Sequence, residues 1–295
     1  MAQALVPHTV LPSQAELDQT GKALLREAVQ LTQFQQYEPA LARAKLAVQL
    51  VPNIEESWAL LGGLLLGTNQ VDQGIQALER AIAINPKNAG AQFSLGSAYF
   101  RKGNYAGAIK AIEIGLQIKP DVLEAIFDLG NAHYRMGSYK EAISAYKKAI
   151  AKDPKFWPAI NNIGLVNYEQ GDVDAAIKNW QLAATLDEKS GEPKLALAIA
   201  LYKQGQQAQA FQLAEAALST DSRYSDIEYL KENLWGDRLI ADTKVVFATP
   251  EMQKTIARLA PPEPKEKAPS TTASPKPQKD QDAPKSTPPA TTPKP

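Results

Sequence analysis

Between residues 21 and 224, apolar side chains recur every three or four positions, with short polar turns between the runs. That spacing predicts helices, since a strand would alternate in twos. In residues 123–156, Ile126, Leu129, Gly130 and His133 form one stripe, and Ala142, Tyr146 and Ala149 form the next. Between them lies "MGSY", a turn in which Gly137 is free to take a positive φ. Pro52, Pro86, Pro120 and Pro154 each follow an apolar run and end it, because proline cannot continue the hydrogen-bond ladder. Each stretch therefore predicts two antiparallel helices joined by a short turn.

The prolines fall 34 residues apart, and the text repeats with them: "LGSAYFRKGNY" at 95–105 becomes "LGNAHYRMGSY" at 129–139. Extending that frame gives six units without insertion: 21–54, 55–88, 89–122, 123–156, 157–190 and 191–224. Position 8 of the unit is always small: Ala28, Gly62, Gly96, Gly130, Gly164, Ala198. Positions 20 and 27 are small too, as at Ala142 and Ala149. Small residues at fixed places let crossing helices approach closely, where a larger side chain would overpack. Position 7 is Leu61, Leu95, Leu129, Ile163 and Leu197, the apolar filler beside each crossing.

The pattern resembles the tetratricopeptide repeat, whose signature positions hold Trp58, Leu61, Gly62, Ala81 and Pro86 in the second unit. The resemblance covers residues 21–224, with local departures at Glu27, Glu188 and Ser222, toward the ends of the array. It implies an all-α fold: a right-handed α-α superhelix, or solenoid, with C-terminal capping helices and a disordered tail. It also points toward bacterial repeat proteins of the cyanobacterial type.

Outside the repeats, residues 1–20 form an N-terminal segment in which "SQAE" at 13–16 reads as a capping box starting the first helix. Residues 225–260 read as capping and extra helices. "SDIE" at 225–228 opens a helix expected to run to about Trp235 and stop at Gly236. Residues 237–248 and 249–260 suggest two more, the second with Thr249 as N-cap and Pro250 at N1. This last pair either extends the cap or folds back on the array. From Pro261 to Pro295, 11 of 35 residues are proline and none is aromatic, Val, Ile, Leu or Met, so this segment is expected to be a disordered Pro/Lys/Thr-rich tail.

Composition narrows the chemistry. The chain has no cysteine and two histidines, His8 and His133, so thiolate metal sites and a cysteine nucleophile are excluded. His133 occupies the column of Tyr99 and reads as a packing residue. No Gly-rich phosphate loop and no serine elbow occur. The expectation is no enzyme, no cofactor and no metal. Basic and acidic residues balance at 32 each, unlike a general nucleic-acid binder. The apolar run 58–67 is too short to span a bilayer, and the start lacks the features of a secretory signal. A cytoplasmic location is expected, with peripheral membrane association through a partner as the alternative.

Binding remains. The resemblance implies that the first helix of each unit lines a concave groove, with unit positions 2, 5, 9, 12 and 13 pointing in. Phe100, Tyr134, Tyr168 and Tyr202 form a ladder at position 12. Phe93, Phe127 and Asn161 stand at position 5, and Ser97, Asn131 and Asn162 at positions 6 and 9. Arg101 and Arg135 at position 13 add positive charge, favouring a peptide with acidic or C-terminal carboxylate groups. The clamp by which some family members hold chaperone C-termini requires lysine at position 5, and no unit has it. The function expected is a protein-interaction scaffold or adaptor that binds a peptide or partner segment in the groove. Two alternatives stand beside it: an assembly factor for a membrane (photosynthetic) complex, and a self-associating module using the 227–260 helices. Homo-oligomerisation is left open, and neither nucleic acid nor direct membrane insertion is expected.

Overall fold

Twelve helices pair in chain order. The pairs are α1 (Gln14–Gln33) with α2 (Tyr37–Leu50), α3 (Glu55–Gly67) with α4 (Val71–Ile84), and α5 (Ala89–Arg101) with α6 (Tyr105–Ile118). They continue with α7 (Leu123–Arg135) and α8 (Tyr139–Lys152), α9 (Trp157–Gln170) and α10 (Val173–Leu186), and α11 (Glu192–Lys203) and α12 (Gln207–Thr220). A 3₁₀ turn (Ser222–Ser225) leads to α13 (Ile227–Glu232), α14 (Asp237–Phe247) and α15 (Pro250–Leu259). The computed structural model describes residues 11–260. The readings of His8 and of the 261–295 tail lie outside the described residues.

The second helix of each pair packs on the first helix of the next, which stacks the pairs into a superhelix. The small residue at position 8 lets the two helices within a pair close on each other. A Cβ added to Gly62, Gly96, Gly130 or Gly164 would lie 2.5–2.6 Å from Leu78, Ile112, Tyr146 or Trp180 respectively. Those four side chains sit 34 residues apart and are at most 2% exposed. Each glycine is thus replaced in volume by a large side chain on the partner helix.

The turn inside each pair has one left-handed residue. These are Gly103, Gly137, Gly171 and Gly205, with Gln35 (φ 58°) and Asn69 (φ 62°) in the same column. The hydrogen bond from Ser138 N to His133 O closes the turn around Gly137. At the N-terminus the capping box is formed: Ser13 N donates to Glu16 Oε2 (2.8 Å) and Glu16 N to Ser13 Oγ (3.3 Å). At "SDIE" (225–228), where the sequence suggests the same device, no capping box forms. Asp226, not Ser225, caps α13 by accepting from Glu228 N (2.9 Å), while Ser225 Oγ donates to Ser222 O. The helix expected to reach Trp235 ends at Glu232, because Leu234 turns left-handed (φ 69°) and reverses the chain.

Candidate functional site

The first helices α3, α5, α7, α9 and α11 share the inner face of the superhelix, and α14 returns onto it. It packs against α9 and α11, while α15 lies on α12. The question of whether residues 237–260 cap the array or fold back is therefore resolved in two parts: α14 folds back, and α15 stays on the terminal pair. Leu239, Ile240, Thr243, Val246 and Phe247 are the buried residues of α14.

Polar contacts fix α14 at one end and along its length. Its N-cap is Gly236, which has no side chain to accept from the first-turn amides. Glu169 of α9 does so instead: its carboxylate accepts from Arg238 N (3.1 Å) and Leu239 N (3.0 Å). A Cβ at 236 would be 2.3 Å from Glu169 Cδ, so any larger residue there would displace the capping carboxylate. Further along, Asp242 accepts from Tyr168 Oη (2.7 Å) and pairs with Lys203 (2.8 Å). Burial and the Asp242 bond hold the Tyr168 phenol well above its usual range.

This arrangement corrects several expectations for the groove. Tyr134 and Tyr168 were expected to meet a partner, yet they are 6% and 1% exposed. Each ring of the position-12 column also leans on its own pair: Phe100 on Tyr105, Tyr134 on Tyr139, Tyr168 on Trp180, Tyr202 on Phe211. Phe93 packs toward Gly115 across its pair, within 2.4 Å of where a Cβ would stand. The two arginines hydrogen-bond within the chain. Arg101 donates to Leu66 O (2.7 Å) and Asn69 Oδ1 (3.0 Å), and Arg135 donates to Lys231 O (2.5 Å) at the end of α13. Neutral acceptors thus take up part of each guanidinium, and the buried Arg135 Nε has no acceptor.

What remains open lies between α5 and the tip of α13. One cavity of ≈ 240 Å³ is walled by Phe100, Phe127 and Trp157, floored by Asn131, Asn161 and Asn162, and closed by Glu192, Glu232 and Leu234. A second, of ≈ 150 Å³, adjoins it through Phe100 and Asn131 and reaches Ser97, Arg101 and Asp128. Seven residues of the expected groove are therefore brought together here: Ser97, Phe100, Arg101, Phe127, Asn131, Asn161 and Asn162. Sequence reasoning missed Trp157, Glu192, Glu232 and Asp242. It reached Glu169 as the break in the basic column of Arg101 and Arg135, a place where specificity could reside, but not its role as a helix cap.

The floor is one hydrogen-bonded string. Tyr146 Oη donates to Asn131 Oδ1 (2.9 Å), and Asn162 Nδ2 donates to the same oxygen (3.0 Å). Asn161 Nδ2 donates to Asn162 Oδ1 (3.1 Å) and to Glu192 Oε1 (3.0 Å), which also accepts from Trp235 Nε1 (3.3 Å). Asn161 is fully buried, and its Oδ1 has no hydrogen-bond partner. Burial pushes the Glu192 carboxyl up to about 7, against the pull of the Asn161 and Trp235 bonds. Burial, with the neighbouring charge of Glu124, pushes Asp128 up to about 6.

A larger cleft of ≈ 430 Å³ lies between α4 and α6, with Ile82, Leu95 and Ile114 among its lining and Tyr99 bonded to Glu79 (2.9 Å) at its edge. Sequence reasoning had Tyr99 as packing only. His133 Nδ1 is buried without a partner, and among the described residues no His, Asp and Glu side chains gather in a metal-binding group.

Comparison with known proteins places this geometry. The tetratricopeptide-repeat family model matches residues 60–122 and 127–193. No protein of curated function matches the sequence. Among solved structures, pilF of Pseudomonas aeruginosa is 16% identical, with 74% of this chain and 99% of that one covered at a TM-score of 0.59. MamA from Desulfovibrio magneticus RS-1 is 18% identical over 57% of this chain and 96% of its own, at 0.55. YrrB, described as a TPR protein with an unusual peptide-binding site, is 15% identical over 65% and 97%, at 0.50. At these identities the likeness is one of fold.

Proposed function

This chain is a tetratricopeptide-repeat protein, and from that premise we propose that it is a non-catalytic adaptor holding a segment of a protein partner in the open part of its inner face. Proteins of this family generally mediate protein–protein interactions, and the fold alone does not choose the partner. The observation that carries the reading is the pair of adjoining cavities between α5 and α13, where three aromatic walls meet a floor of three asparagines. Rings supply apolar contact at little entropic cost, and amides pair with a peptide backbone. YrrB, with its peptide-binding site, gives a precedent for such use of this fold.

The far half of the inner face is held by α14, so the partner segment is a short one, entering from the α5 side and stopping at Leu234. The apolar side of α14 that a self-associating module would use is buried within the chain at Leu239, Ile240 and Phe247. Self-association through those helices is for that reason the weaker reading. Among the described residues no helix is long and apolar enough to cross a membrane. Service to a membrane complex would therefore run through the partner.

Affinity capture from the native cell tests the proposal. Ser97→Trp fills the adjoining cavity from a partly exposed position without disturbing the core. It should abolish capture, while Leu182→Ala, at a half-exposed position on α10, should not. Every partner surviving Ser97→Trp would overturn the assignment.

A further inference from the structure

We infer that the pocket bounded by Phe127, Trp157, Asn161, Glu192 and Glu232 recognises a basic side chain, a lysine ammonium or an arginine guanidinium, of the partner segment. This rests on the reading that a partner segment lies in the open groove, and it names the chemistry of that segment.

The pocket gathers two carboxylates and a buried amide oxygen beside its aromatic walls. Glu192 and Glu232 reach it from α11 and α13. Asn161, fully buried beside them, spends both amide protons on Asn162 and Glu192 and leaves Oδ1 without a donor. A buried acceptor without a partner is unfavourable until something donates to it. Lysine and arginine are donors only, so an incoming basic side chain complements a pocket edged by the Glu192 and Glu232 carboxylates.

The chain does not supply that cation itself. Among the described residues no ion pair reaches Glu192 or Glu232. Arg101 and Arg135 are bonded away toward Leu66, Asn69 and Lys231, and Lys231 Nζ pairs with Glu228 (2.7 Å). Phe127 and Trp157 line the same pocket as the carboxylates, and an aromatic face attracts a cation within about 6 Å. Burial that raises the Glu192 carboxyl to about 7 is the penalty a bound cation would offset.

The experiment follows side-chain amide and indole N–H signals by NMR in the full chain. The probes are Nα-acetyl-arginine methylamide and Nα-acetyl-lysine methylamide, with the norleucine analogue as the uncharged control. A basic probe should shift the Asn161 amide and the Trp157 and Trp235 indoles in a saturable way, and norleucine should not. Glu192→Gln should weaken that binding by about tenfold, the loss of one charge-assisted bond. Glu232→Gln, at an exposed position, should weaken it severalfold and keeps the test valid if Glu192→Gln disturbs packing. Equal shifts from norleucine, or full binding by both variants, would overturn the inference. So would silence from both basic probes at millimolar concentration; if Ser97→Trp still abolished capture in that case, the adaptor reading would stand without a basic ligand.

Discussion

Removing the Glu169 carboxylate should release α14 from the inner face without unfolding the repeats. Its two oxygens accept from Arg238 N and Leu239 N, the second and third residues of a helix whose own N-cap is a glycine. Losing an N-cap acceptor costs about 0.5–2 kcal/mol, and a bond to a charged group contributes about 1.5–3 kcal/mol. Glu169 is partly solvated, so water replaces some of what Glu169→Ala removes, and about 1.5 kcal/mol is the reasonable net loss. That corresponds to roughly tenfold more frequent local opening. Hydrogen exchange read by mass spectrometry measures it: amides of residues 237–247 should exchange about tenfold faster in Glu169→Ala. Amides of α3 to α6, which do not touch α14, should keep their wild-type rates. Glu169→Gln, retaining one acceptor oxygen, should fall between. Unchanged protection of α14, or equal acceleration across the array, would refute the idea that one side chain of α9 caps a helix about 70 residues away.

Other outcomes follow from the same geometry. Asp128 and Glu192 have folded pKa values of about 6 and about 7, against 3.8 and 4.5. The folded chain thus binds more protons than the unfolded one in between, and stability should fall as pH rises from about 4 to about 7, by on the order of 2 kcal/mol per group. The urea midpoint of the wild type should drop over that range relative to Asp128→Asn/Glu192→Gln; parallel profiles would count against it. Gly164→Ala should cost about 1–3 kcal/mol in urea melts, because its Cβ would lie 2.5 Å from the Trp180 ring, which is fully buried and bonded to Asn161 O. Gly103→Ala, with open space around it, should cost only about 1–2 kcal/mol, for the left-handed backbone (φ 74°). Equal and negligible losses at both would contradict the packing role of position 8.

The repeats were legible because their contacts are local and recur. Gly130 meets Tyr146 sixteen residues on, and the same pairing returns at Gly164 and Trp180, so a period read from text becomes a contact in space. The turn at Gly137 was legible for the same reason, while Asn69 and Gln35, which hold the same column without glycine, were not singled out. The site was half legible. Ser97, Phe100, Phe127 and the three asparagines were found by column, and the structure brings them to one place. The far end was not, because α14 meets the array through single long-range contacts: Tyr168 to Asp242, Glu169 to Arg238, Arg135 to Lys231. None of these repeats, so no period announces them. A ladder of tyrosines reads the same whether a partner or the chain's own helix covers it, and only the tertiary structure distinguishes the two.

The central claim is that partners bind on the open inner face between α5 and α13. Photo-crosslinking tests it most directly, with benzoyl-phenylalanine placed in the living cell at Phe100, in the groove, or at Leu182, which is 50% exposed on α10. Covalent adducts to a protein partner should form from position 100 and be lost when Ser97→Trp is added, with none from position 182. Adducts from position 182 alone, or from position 100 regardless of Ser97→Trp, would contradict it.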